Sequence, residues 1–362
     1  MNKLERPGDV TLWRYIIALS LLGTVTIGVW LRWSLAGAWE VTLDFSHLRH
    51  AHSHLGYFGL LFPLAWLGWR RTGASVPGPY MLMFYALCTA ITCLGFAFDG
   101  YGPVAIAGST FIAACWIWSS VGLLGDAHEF DDPLGMVPWG IIVSLLCIPP
   151  IALSLRSNPE LARGFVSTFL AGLLLLVIVP SAVAGRHLSL GPWPLLLTTG
   201  LSGALFLGVA EHPVTRIGLL AHAGLLLTLT RSAKLDLHTR CAWGIVSFGL
   251  GAMALNILPN SRPVALGAIH FLILGPVLAT LAPLWFKCPL PGWAWWLGHV
   301  SWGCMSAALI AQEFVMSPWT WKIAATGGTM TALWWVFVLI YQWSARKLVG
   351  SVVRPKDLAT SG

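Results

Sequence analysis

Uncharged apolar windows of near bilayer-crossing length recur twelve times along the chain, at 11–32, 51–69, 79–98, 103–124, 136–154, 163–184, 193–210, 214–231, 241–258, 263–285, 292–312 and 318–344. A helix of about 20 apolar residues crosses a hydrocarbon core. The links between windows are short and carry breakers: Arg70-Arg71 ahead of Pro77 and Pro79, Asp99-Gly100, Asn158-Pro159, Gly191-Pro192, and Pro259 through Pro263. Tight links favour antiparallel neighbours. The pattern predicts an all-α polytopic membrane helical bundle of about twelve transmembrane helices. It forms one integral membrane domain over 1–362, with short polar tails at 1–10 and 346–362. The stretch before the first window is too polar and too long for a cleaved signal, so that window is expected to be a retained span.

Composition agrees with the pattern. Hydrophobic residues make up 57% of the chain and charged residues only 10%, against about a quarter charged in soluble domains. Lys and Arg, counted near the ends of the windows, set orientation. With the N-terminus cytoplasmic, the inner side collects fourteen, including Arg70, Arg71, Arg231 and Lys234, and the outer side seven, including Arg32, Arg49 and Arg216. Both termini are therefore expected inside, in a bacterial inner membrane. The net charge of +7 is accounted for by this topogenic signal and by a basic tail suited to anionic lipid; it requires no nucleic acid.

The topology sorts the eleven histidines. His47, His50, His52 and His54 open the second window from the outside, His212 precedes the eighth, His222 lies about eight residues into it, and His270 about seven into the tenth. At a helical rise of about 1.5 Å per residue, His54, His222 and His270 fall within about 5 to 14 Å of the outer boundary and can share one layer. On a helix His47, His50 and His54 share a face, and His52 points elsewhere. Imidazole is a poor guest in hydrocarbon and a good ligand for haem iron, copper or zinc, so this layer is a candidate metal or haem site; an interfacial cluster bonded to headgroups and water is the alternative. His128, His187, His238 and His299 fall toward the inner side and read as ordinary interfacial histidines. Gly56 and Gly59 after His54, and Gly267 and Gly275 around His270, suit either a flat macrocycle or close helix packing.

These residues resemble a known family. HSHLGYFG, His52 to Gly59, is similar to the second-span stretch of NnrS-type proteins, twelve-span haem proteins distantly related to haem-copper oxidase subunit I; AHAGLLL, Ala221 to Leu227, and ALGAIHFLILG, Ala265 to Gly275, are similar to that family's later histidine-bearing spans. The resemblance implies a haem-copper oxidase subunit I-like bundle. It also implies a non-covalent b-type haem held by His54 and His270, with His50, His52, His212 and His222 near a second metal such as copper, and a quinol or cytochrome as electron donor. Two departures matter: the acidic-methionine pair that often follows the family's first motif is replaced by Leu55-Gly56, and the histidine pair and two-histidine cluster of a catalytic oxidase subunit are missing. Proton-pumping oxygen reduction is thereby disfavoured.

Other chemistry is sparser. The seven cysteines include no CxxC or CxxCH, which argues against covalent haem and a thiolate zinc knot. Asp99 is placed to accept from an outer histidine or simply to end a helix, Glu211 with His212 and Arg216 forms a small outer charged group, and the acidic stretch Asp126 to Pro133 reads as a solvated loop. Two function classes stay open: a haem protein for electron transfer or small-gas chemistry of the nitric oxide type, and a twelve-span secondary transporter, with a non-haem metal enzyme behind them.

Overall fold

The computed structural model describes residues 7–40, 42–126, 133–184, 213–232, 235–259, 261–286 and 288–352. They form helices and short connections, with no strand among the described residues. In chain order the helices are α1 (Pro7–Leu35), α2 (Phe45–His54), α3 (Phe62–Arg71), α4 (Pro79–Asp99), α5 (Pro103–Asp126), α6 (Val137–Ser157), α7 (Pro159–Ala171), α8 (Val179–Val183), α9 (Pro213–Ser232), α10 (Leu237–Ala254), α11 (Arg262–Leu272), α12 (Leu278–Leu281), α13 (Gly292–Ala311) and α14 (Pro318–Val352). Eleven of the twelve sequence windows fall on these stretches; the window at 193–210 lies outside the described residues. Among the described residues seven stretches are long and apolar enough to cross a membrane: Leu12–Leu35, Pro79–Asp99, Pro103–Leu124, Pro133–Ser154, Pro159–Val183, Arg262–Leu284 and Pro318–Ser344. The described part of the chain is all-helical, and its long apolar helices mark an integral membrane protein.

Several helices start on proline, whose missing N–H is an orphan in the first turn anyway. α7 adds a cap, the Asn158 side chain accepting from the Leu161 N–H at 3.1 Å. Neighbours in sequence pack side by side, α4 on α5, α6 on α7, α9 on α10 and α13 on α14, and α1 packs on both α2 and α14. The last helix thus returns to the first, and Trp33 Nε1 donates to Thr329 Oγ1 across that seam at 2.9 Å.

Three helical runs are broken midway by π-helical turns: π1 (Leu55–Leu61) between α2 and α3, π2 (Gly172–Ile178) between α7 and α8, and π3 (Ile273–Val277) between α11 and α12. Each carries or adjoins a proline, Pro63, Pro180 or Pro276. A proline ring clashes with the carbonyl four residues back, and widening the turn relieves that clash. Proline alone does not suffice, because Pro149 and Pro150 lie inside α6 without a π turn.

A carbonyl within each π turn takes a hydroxyl, and that hydroxyl also accepts a tryptophan N–H from a neighbouring helix. In π1, Tyr85 donates to Phe58 O at 2.8 Å and accepts from Trp116 Nε1 at 3.1 Å. In π2, Ser181 donates to Val177 O at 2.5 Å and accepts from Trp69 at 2.7 Å. In π3, Thr280 donates to Pro276 O at 2.6 Å and accepts from Trp243 at 3.2 Å. For Phe58 the reason is plain: the residue five ahead is Pro63, which has no N–H to offer. The segments following the π turns, α3, α8 and α12, meet one another. Gly68 lies so close to the Ser181 carbonyl that a Cβ there has no room, and Arg71 donates to Ala184 O.

Candidate functional site

The histidines cluster where the first and third broken runs have not yet reached their π turns. α2 begins at Asp44, whose carboxylate accepts from the His47 N–H at 3.0 Å; that bond holds the Asp44 carboxyl below the usual carboxylate range. From there the helix turns its imidazoles to two sides, as the three- and four-residue spacings require. His50 and His54 face α4 and the turn after it. The His54 ring stacks on Phe96 with centroids 3.9 Å apart, and His50 meets Tyr101 at 4.8 Å. His47 presses on Gly100, where a φ of 59° and the touching ring both favour glycine.

His52 points the other way, toward α1 and α11. Its Nδ1 is 2.9 Å from Thr24 O, and its ring lies near-parallel to that of His270, 13° apart with centroids separated by 6.3 Å. The ring beside His270 is therefore His52, whereas His54 rests on Phe96. Nδ1 of His270 is 2.7 Å from Leu266 O, and Nδ1 of His54 is 2.8 Å from His50 O. A carbonyl only accepts, so in all three rings Nδ1 carries a hydrogen, and in the neutral ring Nε2 is then the nitrogen with the lone pair. That is the tautomer a metal-bound imidazole takes.

Arg32 of α1 completes this group. It is buried, and its NH1 donates to Gly28 O at 2.8 Å. Among the described residues it makes no ion pair, and its Nε has no hydrogen-bond partner. A Cβ placed on Gly28 would meet both His52 Cε1, at 2.8 Å, and Arg32 NH1, at 2.9 Å, so ring and guanidinium flank one point of α1. Sequence reasoning counted Arg32 only as a topogenic charge. The signal available was a lone arginine within an apolar helix, which is by default functional.

The remaining candidates divide. His222 is fully buried in α9, and His212 lies outside the described residues, as do Glu211, His128 and His187. His50 and His52 turn to different neighbours. Gly59 and Gly267 are helix-packing positions: a Cβ would meet Ser20 Oγ at 2.5 Å in the first case and the Ser306 carbonyl at 2.7 Å in the second. Asp99 is exposed, its carboxylate crowding Gly102. At the opposite end His238 and His299, expected as separate bystanders, are joined across α10 and α13. Trp302 donates to His299 Nδ1 at 3.1 Å, His299 Nε2 reaches His238 Nδ1 at 3.4 Å, and His238 Nε2 is 3.8 Å from the Asp236 carboxylate. Indole only donates, so it fixes the His299 tautomer and the direction of this chain.

Among the described residues no three His, Cys, Asp or Glu side chains converge as a metal-ion site. The donors on offer are a pair of neutral imidazoles with a buried cation beside them. No family model, curated protein or solved structure matches the chain.

Proposed function

We propose that the chain is a haem-binding integral membrane protein that carries electrons, with His52 and His270 as the axial pair. One observation carries this reading, the two near-parallel rings 6.3 Å apart, both with Nε2 open. Each ring's Nδ1 is engaged by a carbonyl, so the Nε2 atoms are the donors that would hold an iron. A macrocycle would bring four nitrogens of its own, so two protein donors would suffice for its iron, whereas a bare ion asks for three or four. Both rings also keep some exposed surface. Haem held by these two histidines would supply one-electron transfer. The chain's part is to fix both tautomers through Thr24 O and Leu266 O and to hold the rings parallel.

The finer topology belongs to the same proposal: twelve spans in a bacterial inner membrane, both termini cytoplasmic, the His52–His270 end outward, a haem-copper oxidase subunit I-like plan, and a quinol or cytochrome as donor. The test is the optical spectrum of protein purified from haem-replete cells. A Soret band with split visible bands on reduction is expected, lost in His52→Ala and His270→Ala and retained in His54→Ala and His50→Ala. If His54→Ala removes the band and His52→Ala does not, the axial pair is His54 with His270. A colourless preparation overturns the haem reading and returns the transporter to first place.

A further inference from the structure

Arg32 is a buried guanidinium in an apolar helix, and among the described residues no carboxylate pairs with it. Burying an unpaired ion costs several kcal/mol even after relaxation, and such residues in membrane helices face a partner or a pathway. NH1 is spent on the Gly28 carbonyl, while Nε is buried and unpartnered. Beside it stands Gly328 of α14, where a Cβ would come to 3.1 Å from Arg32 Cδ and 3.6 Å from Nε and to 3.6 Å from Met305 Sδ. On that side the buried Nε is bordered by glycine backbone, with no side-chain acceptor from position 328. The other flank is His52, followed by His270; an imidazole in any of its ordinary states adds no negative charge. The surroundings thus combine one unbalanced positive charge, an unused N–H and no competing acid.

We propose that Arg32 is an anion site: it binds a single carboxylate or a comparable small oxyanion beside the His52–His270 pair. A guanidinium pairs with such a group through charge-assisted N–H bonds, about twice as strong as neutral ones. The anion can be part of a larger bound molecule, a haem carboxylate, or a free ion such as nitrite or formate. The site overlaps the haem reading in place but does not depend on it, since the charge and the orphan N–H exist with or without a macrocycle.

The experiment uses full-length protein in detergent, wild type beside Arg32→Gln, Arg32→Lys and Gly328→Ala, with thermal unfolding as one readout and haem extractability as the other. If the occupant is a free ion, nitrite or formate raises the wild-type Tm in step with the logarithm of its concentration above Kd, by several degrees at about 100-fold over Kd. Arg32→Gln abolishes the shift, and Gly328→Ala weakens it by filling the Nε side. If the occupant is a haem carboxylate, the free ions do nothing to the loaded protein. Arg32→Gln then loses haem to an apoprotein acceptor at least about tenfold faster than wild type, and Arg32→Lys, which keeps the charge without the fork, falls between. Folded Arg32→Gln and Gly328→Ala proteins that match wild type in both readouts overturn the proposal. In a haem-free preparation the ion-induced Tm shift still decides, so failure of the haem reading and failure of the anion site are told apart.

Discussion

From Phe58 to Trp69 every residue is buried, and so is every residue from Gly275 to Ala282, whereas His52 to Tyr57 all keep exposed surface and Ile269, His270 and Phe271 do the same. The two regions belong to the same helical runs and meet at the π turns. On one side, packing against α8 is close enough to exclude a Cβ at Gly68, and the hydroxyls of Tyr85, Ser181 and Thr280 pair with the indoles of Trp116, Trp69 and Trp243, Trp66 Nε1 being the exception. On the other stand an arginine without a counterion and imidazoles with open lone pairs. Close packing and satisfied polar groups give a unique rigid framework. Polar groups left open inside a bundle are costly unless something else completes them, so the second region is where a ligand is to be sought.

The sharpest way to break this comparison is to add one methyl to each side. Gly68→Ala drives a Cβ into the Ser181 carbonyl, backbone against backbone, and should cost about 3 kcal/mol or more, read as lost folded yield and lowered Tm in detergent. Gly56→Ala meets only Thr24 Cγ2 at an ordinary 3.4 Å and should change stability by less than about 1 kcal/mol. Equal effects would mean that the two regions are packed alike.

Next in size is Tyr85→Phe, which strips the hydroxyl from the Phe58 carbonyl and from Trp116 Nε1 together. Two buried groups left unpaired should cost about 2–4 kcal/mol, with no effect on any haem spectrum. His52→Ala should do the reverse, costing about 1 kcal/mol for its bond to Thr24 O while removing the spectrum. The two measurements, denaturation midpoint and Soret absorbance, should therefore separate the two variants completely. The smallest effect concerns Asp44. Its carboxyl is held below the usual carboxylate range by the His47 N–H, so its stabilisation is present above that range and is lost as the pH falls through the depressed value. Asp44→Asn keeps an acceptor but cannot titrate, and hydrogen exchange in the first turn of α2 should then lose its acid-induced fraying.

Much of this architecture was legible beforehand. Apolar windows locate helices because hydropathy needs only composition, and the faces of α2 follow from helical spacing, which sent His52 away from His50 and His54. What α2 turns each face toward was not legible. His54 lay at the right depth to pair with His270, yet depth ranks residues along a helix and says nothing about azimuth; Phe96 occupies the space beside His54, and α1 brings Thr24 to His52. The π turns were equally hidden, since nothing in the sequence around Pro63 and Pro276 sets them apart from Pro149-Pro150, which sit in a helix without one. The His238–His299 link joins two helices 61 residues apart, a separation at which local pattern carries no information.

The seam between α1 and α14 sets an order on how the molecule is made. Trp33 waits for Thr329, 296 residues later, and at ribosomal speeds of about 5 to 20 residues per second that interval is about 15 to 60 s. Through it the wall of α1 that carries Arg32 has no α14 against it, and Gly328 has not yet arrived to border the guanidinium. The membrane therefore holds, for about 15 to 60 s, a bundle whose charged flank is open from the side, and synthesis of α14 is the act that shuts it.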